Sequence, residues 1–485
     1  MTPLAMVLMP LIFGVMLLFI RNMKFLPYVS LTGAVAFLAV TVACCLPHLR
    51  GEAYNDSIWY IDSLSAFFLT VTAVISFAAV LYSKSYMEIE HENEVFSTKE
   101  VSHYYFIVFA FIAIILFTFS VRSAALTWIG IGMTTLVSAF LVGLRKDAAA
   151  TEAAWKYIML CSVGIMLALF GIALLFAAST DVIPDSDSLD WPALVLNALD
   201  LNPVLMKFAA AFFIIGLGTK AGLAPLHNWL PDAHSQAPGP VSGMMSGILL
   251  NCAMYGIMRF YTVSELVNPG FAKNILLLFG VLSLVIASSF ILISKDFKRM
   301  LAYSSVENMG LIAIALGIGT PLALFGAVFQ IMAHSVCKPL IFFCSGNVAQ
   351  AYGTGNMSEI RNVSKKMKFT GFATAAGGLA VAGAPPFPLF IGELLIIFGA
   401  ISAGMYWLAG FLGIILVFVF AALIKNIFPM LSGSTDKEVS EGKSPFGSFA
   451  IVLLIGIALF IGLFMPESMR DVFESMVLIL SGGGA

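Results

Sequence analysis

Lys220 lies inside a long apolar stretch, in the run Gly216-Leu-Gly-Thr-Lys220-Ala-Gly-Leu-Ala-Pro225-Leu-His227-Asn-Trp-Leu-Pro231-Asp232-Ala-His234-Ser-Gln-Ala-Pro238-Gly-Pro240. A lysine at membrane depth costs at least about 2.5–3.5 kcal/mol, and the prolines and glycines beside it break a helix. An ionisable group on a broken membrane helix points to an ion pathway. Further along, His334 and Lys338 stand four residues apart, on one helix face. Gly383-Ala-Pro385-Pro386-Phe-Pro388 interrupts a second apolar run, with Glu393 just beyond it. With His227, Asp232, His234 and Glu307, these are side chains that take up and release protons, and rows of such groups inside membranes form proton relays. Asn251, polar but not titratable, lies mid-span and is suited to hold a water in the path.

Each residue also has a plainer reading. Lys220 and Glu393 are too costly for mere packing. His334 and Lys338 read as a relay, against helix–helix hydrogen bonds to carbonyls. Asp232 and His234, near one end of their span, are either a proton inlet or an interfacial cap. Glu307 reads first as a solvated helix end. Lys156 opens its span and is expected to snorkel to the surface, and the basic stretch 295–305 suffices as an orientation anchor. Ala384-Pro-Pro-Phe387 is a helix break, with a hinge or water-accessible gap as its functional reading.

The elements that must position these groups are membrane helices. The 485 residues are 60% hydrophobic and 11% charged, against about 25% charged in soluble chains. Continuous apolar runs argue for an all-α polytopic membrane protein and against a barrel. About fourteen spans are expected from runs of membrane length. They lie near 3–20, 27–46, 60–83, 102–120, 123–143, 153–178, 203–230, 240–262, 274–294, 299–318, 322–350, 370–402, 405–428 and 447–465. The seventh (203–230) and twelfth (370–402) are broken. They stand an odd number of spans apart and so run in opposite directions, the pattern of two inverted five-helix repeats. One membrane domain, 1–485, then divides into a three-helix segment 1–101, repeats at 102–262 and 274–428, and a C-terminal helix and tail at 429–485.

Alternating the loops puts Arg21, Lys24, Lys84, Lys99, Arg145, Lys146, Lys156, Lys295, Lys298, Arg299, Arg361, Lys365, Lys366, Lys368, Lys425, Lys437 and Lys443 on one side. Only Arg50, Arg122, Lys207, Arg259, Lys273 and Arg470 fall on the other. The richer side is cytoplasmic, so both termini are expected outside a bacterial or archaeal inner membrane. The run 3–20 lacks a basic n-region and reads as a retained span rather than a signal peptide. The six cysteines form no CxxC pair and read as apolar filler. The net charge of −2, without a basic patch, offers nothing to nucleic acid.

These motifs resemble the proton-conducting antiporter-like subunits of complex I, Mrp antiporters and membrane-bound hydrogenases. The matching residues are the Lys220 break with 231–238, the run Lys298 to Gly310 with Glu307, His334 with Lys338, and 383–387 with Glu393. Stretches 60–66, 153–157 and 302–307 look most like the hydrogenase-4 F branch of that family. The resemblance implies a non-catalytic membrane subunit of an oxidoreductase, partnered by other membrane subunits and a peripheral redox module. It implies no cofactor in this chain, and any nickel–iron or iron–sulfur centres in partner subunits. It also implies that Lys220, Lys338 and Glu393 follow a central hydrophilic axis. The family's glutamate that pairs with the span-seven lysine is expected near Gly132, yet span five carries no carboxylate; Asn251 stands where several branches have lysine or histidine. Three functions therefore compete: a proton-translocating subunit, a sodium/proton antiporter subunit of Mrp type, and a structural subunit with a degenerate channel.

Overall fold

The computed structural model describes residues 2–435, 437–442 and 444–483; Lys443 and the Arg50 side chain, both counted above among the loop charges, lie outside what is described. The chain is a bundle of membrane helices. α1 (Pro3–Leu18) and α2 (Leu26–Cys45) lead to a hairpin, β1 (Tyr54–Asn55) with β2 (Tyr60–Ile61), the one departure from an all-α chain among the described residues. Then come α3 (Ser63–Glu92), α4 (Thr98–Ser120), α5 (Ala124–Val142), α6 (Ala148–Ser179) and the short α7 (Trp191–Leu196). The seventh span is α8 (Pro203–Ala221) with α9 (Trp229–Gln236). The eighth is α10 (Gly239–Met244), a π-helical turn (Met245–Leu249) and α11 (Leu250–Val267). α12 (Phe271–Ile293), α13 (Phe297–Ile318) and α14 (Pro321–Tyr352) follow. After α15 (Val363–Lys366), the twelfth span is α16 (Lys368–Val381) with α17 (Pro388–Ser402), and the chain ends in α18 (Tyr406–Leu431), α19 (Pro445–Leu463) and α20 (Glu467–Leu480).

Among the described residues, twelve helices are long and apolar enough to cross a membrane. The short α1 and the broken pair α16–α17 supply the remaining two of the expected spans. Every expected span is found, with ends displaced by at most about nine residues, as at α3. The C-terminal tail holds a further amphipathic helix, α20, which buries Phe473 and Met476.

Burial separates centre from rim. The apolar windows of Gly239–Val267, Phe297–Ile318 and Pro321–Tyr352 are wholly buried, against 28% for α18. These central helices carry the polar residues, because only there can neighbours replace water as partners. Close approach depends on small residues. Gly164 and Gly171 of α6 face α8, where Gly216 in turn abuts Ala168, and Gly280 of α12 lies on Gly310 of α13.

Both breaks are built alike. Gly222 caps α8 at φ +78° and Gly383 follows α16 at φ +70°, left-handed values that favour glycine. Loop-charge assignments change at Arg259 and Lys298. Arg259 is no loop charge: it is buried in α11 and forms a two-pronged pair with Asp62, both N···O distances 2.6 Å. Lys298 is buried and donates to the Ala237 carbonyl at 2.8 Å, so 295–305 is more than a surface anchor. Lys156 does reach the surface, but held in ion pairs rather than free.

A Cβ at Gly216 would lie 2.5 Å from the Ala168 nitrogen and the Gly164 carbonyl oxygen. Gly216→Val should therefore separate α6 from α8 and cost at least about 1–3 kcal/mol. Gly410→Val, with nothing within 4 Å, should be neutral. Thermal unfolding of the two variants in detergent checks this; equal midpoints would refute the close-packed seam.

Candidate functional site: a buried row of titratable side chains

Lys220 sits in the last turn of α8, where the helix dipole favours a cation. It is fully buried. Its ammonium donates to the Thr135 hydroxyl at 2.8 Å and the Tyr157 hydroxyl at 2.5 Å. The Tyr157 ring centroid lies 4.7 Å away and that of Trp229 5.9 Å. Ser138 donates to the Thr134 carbonyl at 2.5 Å and shares a 2.7 Å bond with Tyr157. The directions then follow: lysine donates to tyrosine, tyrosine to serine, serine to a carbonyl. No carboxylate faces Lys220 among the described residues.

A Cβ at Gly132 would meet Ile165 of α6 at 3.7 Å, and neighbouring Met133 is exposed. The α5 side chain that meets Lys220 is Thr135, three residues on. Hydroxyls at 135, 138 and 157 escape sequence reading because serine, threonine and tyrosine are ordinary tenants of membrane helices.

The second cluster gathers on α13, α14 and the twelfth span. Lys338 is fully buried and donates to the Ser304 hydroxyl and, at 3.3 Å, to the Leu301 carbonyl. Glu307 is 2% exposed. That overturns the expected solvated helix end, since it stands in the middle of a wholly enclosed helix. Asn308 donates to Glu307 at 2.7 Å and accepts from Gln330 at 2.8 Å. The Gln330 amide oxygen fills the space a side chain at Gly392 would need, and the Glu393 carboxylate fills that beside Gly383. Lys338 and Glu307 lie within Coulombic reach of each other, as do Glu307 and Glu393.

Between the clusters stand the histidines. His334 contacts Ser246 at 3.4 Å, and Ser246 shares a 2.9 Å bond with Ser305. Ser246 belongs to the π-helical turn, a distortion frequent at functional sites. His234 is fully buried and stacked on Phe342 with ring centroids 4.8 Å apart; it is not an interfacial cap. Neither of its nitrogens has a protein partner. Asn251, just past the π turn, donates to the Gly247 carbonyl and Ser335, each at 2.7 Å. Its amide is thus already engaged, which leaves only its carbonyl oxygen for a water. His227 lies in the break itself, edge-on to Tyr303 at 6.1 Å. Asp232 stands apart from the buried row. It pairs with Arg299 at 2.8 Å and Lys156 at 3.3 Å on the surface where α6 and α13 begin.

A family model described as NADH:quinone oxidoreductase/Mrp antiporter, transmembrane, matches residues 121–419, more than half of the chain. The chain belongs to this antiporter-like family. A second model, the N-terminus of complex I chain 5, matches residues 57–96. A hydrogenase-4 component F homolog of Methylacidiphilum infernorum is 32% identical over 428 residues, 87% of this chain and 89% of that one. Hydrogenase-4 component B of Escherichia coli is 30% identical over 402 residues, 79% of this chain but 57% of that longer protein. The fold matches a chain of an archaeal membrane-bound sulfane sulfur reductase with a TM-score of 0.87 at 23% identity, covering 99% of this chain and 98% of that one. It matches a chain of respiratory complex I from Thermus thermophilus with a TM-score of 0.84 at 19% identity, covering 100% of each.

A carboxylate at 135 should pair with Lys220, whereas one at 132 should not. In double-mutant cycles with Lys220→Met, Thr135→Glu is expected to couple by about 1–3 kcal/mol, and Gly132→Glu by close to nothing. Thermal unfolding gives both values; strong coupling at 132 would restore the original placement.

Proposed function

We propose that this chain is a proton-translocating membrane subunit of a multi-subunit redox complex of hydrogenase-4 or complex I type. The observation that carries the reading is the enclosed row of Lys220, His234, His334, Lys338, Glu307 and Glu393, set between two broken helices at the centre of the bundle. Lipid-facing positions would never tolerate these groups, and packing does not need them. The hydrogenase-4 relatives support the redox assignment, and the complex I and Mrp likenesses support the fold's use in ion transport.

In this reading the residues at 102–262 and 274–428 are inverted repeats, each contributing one half-channel. Lys220 holds a proton on hydroxyl oxygens. Lys338 holds one against Glu307, so protonation of Glu307 weakens the hold on Lys338 and favours release onward. Glu393, beside the second break, is the next acceptor. Electron transfer belongs to partner subunits, which would hold any nickel–iron and iron–sulfur centres. The chain would lie in a bacterial or archaeal inner membrane with both termini outside. A sodium/proton exchange of Mrp type has weaker support. Sodium takes oxygen ligands, and of the two carboxylates of the row Glu307 accepts from Asn308 and Glu393 is tucked against Gly383.

In vesicles containing the whole complex, Lys220→Ala, Lys338→Ala and Glu393→Ala should each lower proton flux per electron pair, by about 10²-fold where proton transfer limits the rate. Flux should be unchanged when sodium is replaced by potassium. Full coupling in all three variants would sink the proposal, and strict sodium dependence would turn it to the Mrp reading.

A further inference from the structure

A groove of about 720 Å³ opens on the outer face of the bundle, away from the titratable row, where α4 and α6 begin and α5 ends. Its floor is made of small residues, Ala139 of α5 and Gly143 just past its end with Ala154 of α6, and a Cβ at Gly143 would touch Ala154 at 3.4 Å. Its walls are large and apolar. Leu136 is 59% exposed, Phe140 70% and Trp155 61%. At the surface end the groove meets a basic crown of Lys99, His103 and Lys146. Glu100 is the one acidic side chain lining it, and it is engaged by Lys146 at 2.7 Å and by Ser97. The His103 Nδ1–H donates to the Lys99 carbonyl at 2.6 Å, which holds the ring against the backbone of α4.

We propose that this groove binds one anionic phospholipid, its phosphate on Lys99 and Lys146 and its acyl chains over Leu136, Phe140 and Trp155. Charge complementarity selects the occupant. A helix of a neighbouring subunit would need no cationic crown, and a zwitterionic lipid would gain little from it. Basic side chains at a membrane surface attract anionic lipid by about 1 kcal/mol each, and an aromatic residue at this depth suits the headgroup boundary. The small floor gives the chains a channel that a row of leucines would fill. The site stands independently of the proton pathway, since none of its residues belongs to the buried row.

The test uses the full-length chain in nanodiscs, with Trp155 as reporter. Quenching that is absent in Trp155→Phe is assigned to the groove. Brominated phosphatidylglycerol should quench this component at about 25-fold lower mole fraction than brominated phosphatidylcholine, about fivefold from each lysine. Lys99→Ala and Lys146→Ala should each shrink that preference about fivefold, while Lys207→Ala, on the opposite surface, should leave it unchanged. Equal quenching by both lipids, or an equal effect of Lys207→Ala, would overturn the proposal. In the assembled complex, a photoreactive benzoylphenylalanine placed at Phe140 should capture lipid; capture of a partner polypeptide would show that the groove is a subunit interface instead.

Discussion

An ammonium group survives between membrane helices only where protein atoms take the place of its hydration shell. The rest of the bundle is arranged around that constraint. Lys220 and Lys338 solve it differently. Lys220 draws on two hydroxyls, two aromatic faces and the carbonyl end of a half-helix. Lys338 draws on a hydroxyl, a backbone carbonyl and the field of a nearby carboxylate. Both solutions need polar atoms at membrane depth, so both need helices that are broken, distorted or closely packed.

The helix breaks follow from that need. Ending α8 inside the bundle brings the negative end of its dipole to Lys220, and starting α17 inside the bundle sets Glu393 in the early turns of a half-helix beside Gly383. Such irregular backbone is tolerated because it is enclosed in protein. The wholly buried windows of the eighth, tenth and eleventh spans provide that enclosure. The π turn adds a third distortion, from which Ser246 reaches both Ser305 and His334. Glycines such as Gly164, Gly216 and Gly310 let these helices approach closely enough for short polar side chains to meet.

How much of this was legible depends on whether the signal was a run, a charge or a contact. Apolar run length locates the spans, because in lipid a helix must be continuous and apolar over a fixed thickness. Lys220, Lys338 and Glu393 stand out because their cost is intrinsic to the residue. Glu307 and His234 were harder, since proximity to a span end in sequence says nothing of whether neighbours close over that end. Arg259 looked like a loop charge for the same reason, and its partner Asp62 lies 197 positions away. Thr135, Ser138, Tyr157 and Ser304 were invisible. A hydroxyl on a membrane helix carries no sequence mark that separates lining a charge from bonding its own helix, and only the facing helix decides. Thr135 is of this kind: α5 carries several hydroxyls, and packing against α6 and α8 brings this one to Lys220.

The two lysines are therefore chemically unequal, and the inequality bears on direction. A proton on Lys220 is held by neutral dipoles that keep their charge when it leaves. Deprotonation there costs only the lysine's own interactions. Lys338 lies in the field of the Glu307 carboxylate, and Glu307 in turn lies within Coulombic reach of Glu393. Charge arriving at the second cluster changes the hold on every member, whereas the hydroxyl cage at the first changes only when a proton does. Under the proposed function, an electrostatic signal from elsewhere in the membrane would act chiefly on the Lys338–Glu307–Glu393 side, leaving Lys220 a store that fills and empties by what its neighbours offer. In that reading the absence of a carboxylate beside Lys220 would separate a site that holds protons from a set of sites that can be switched.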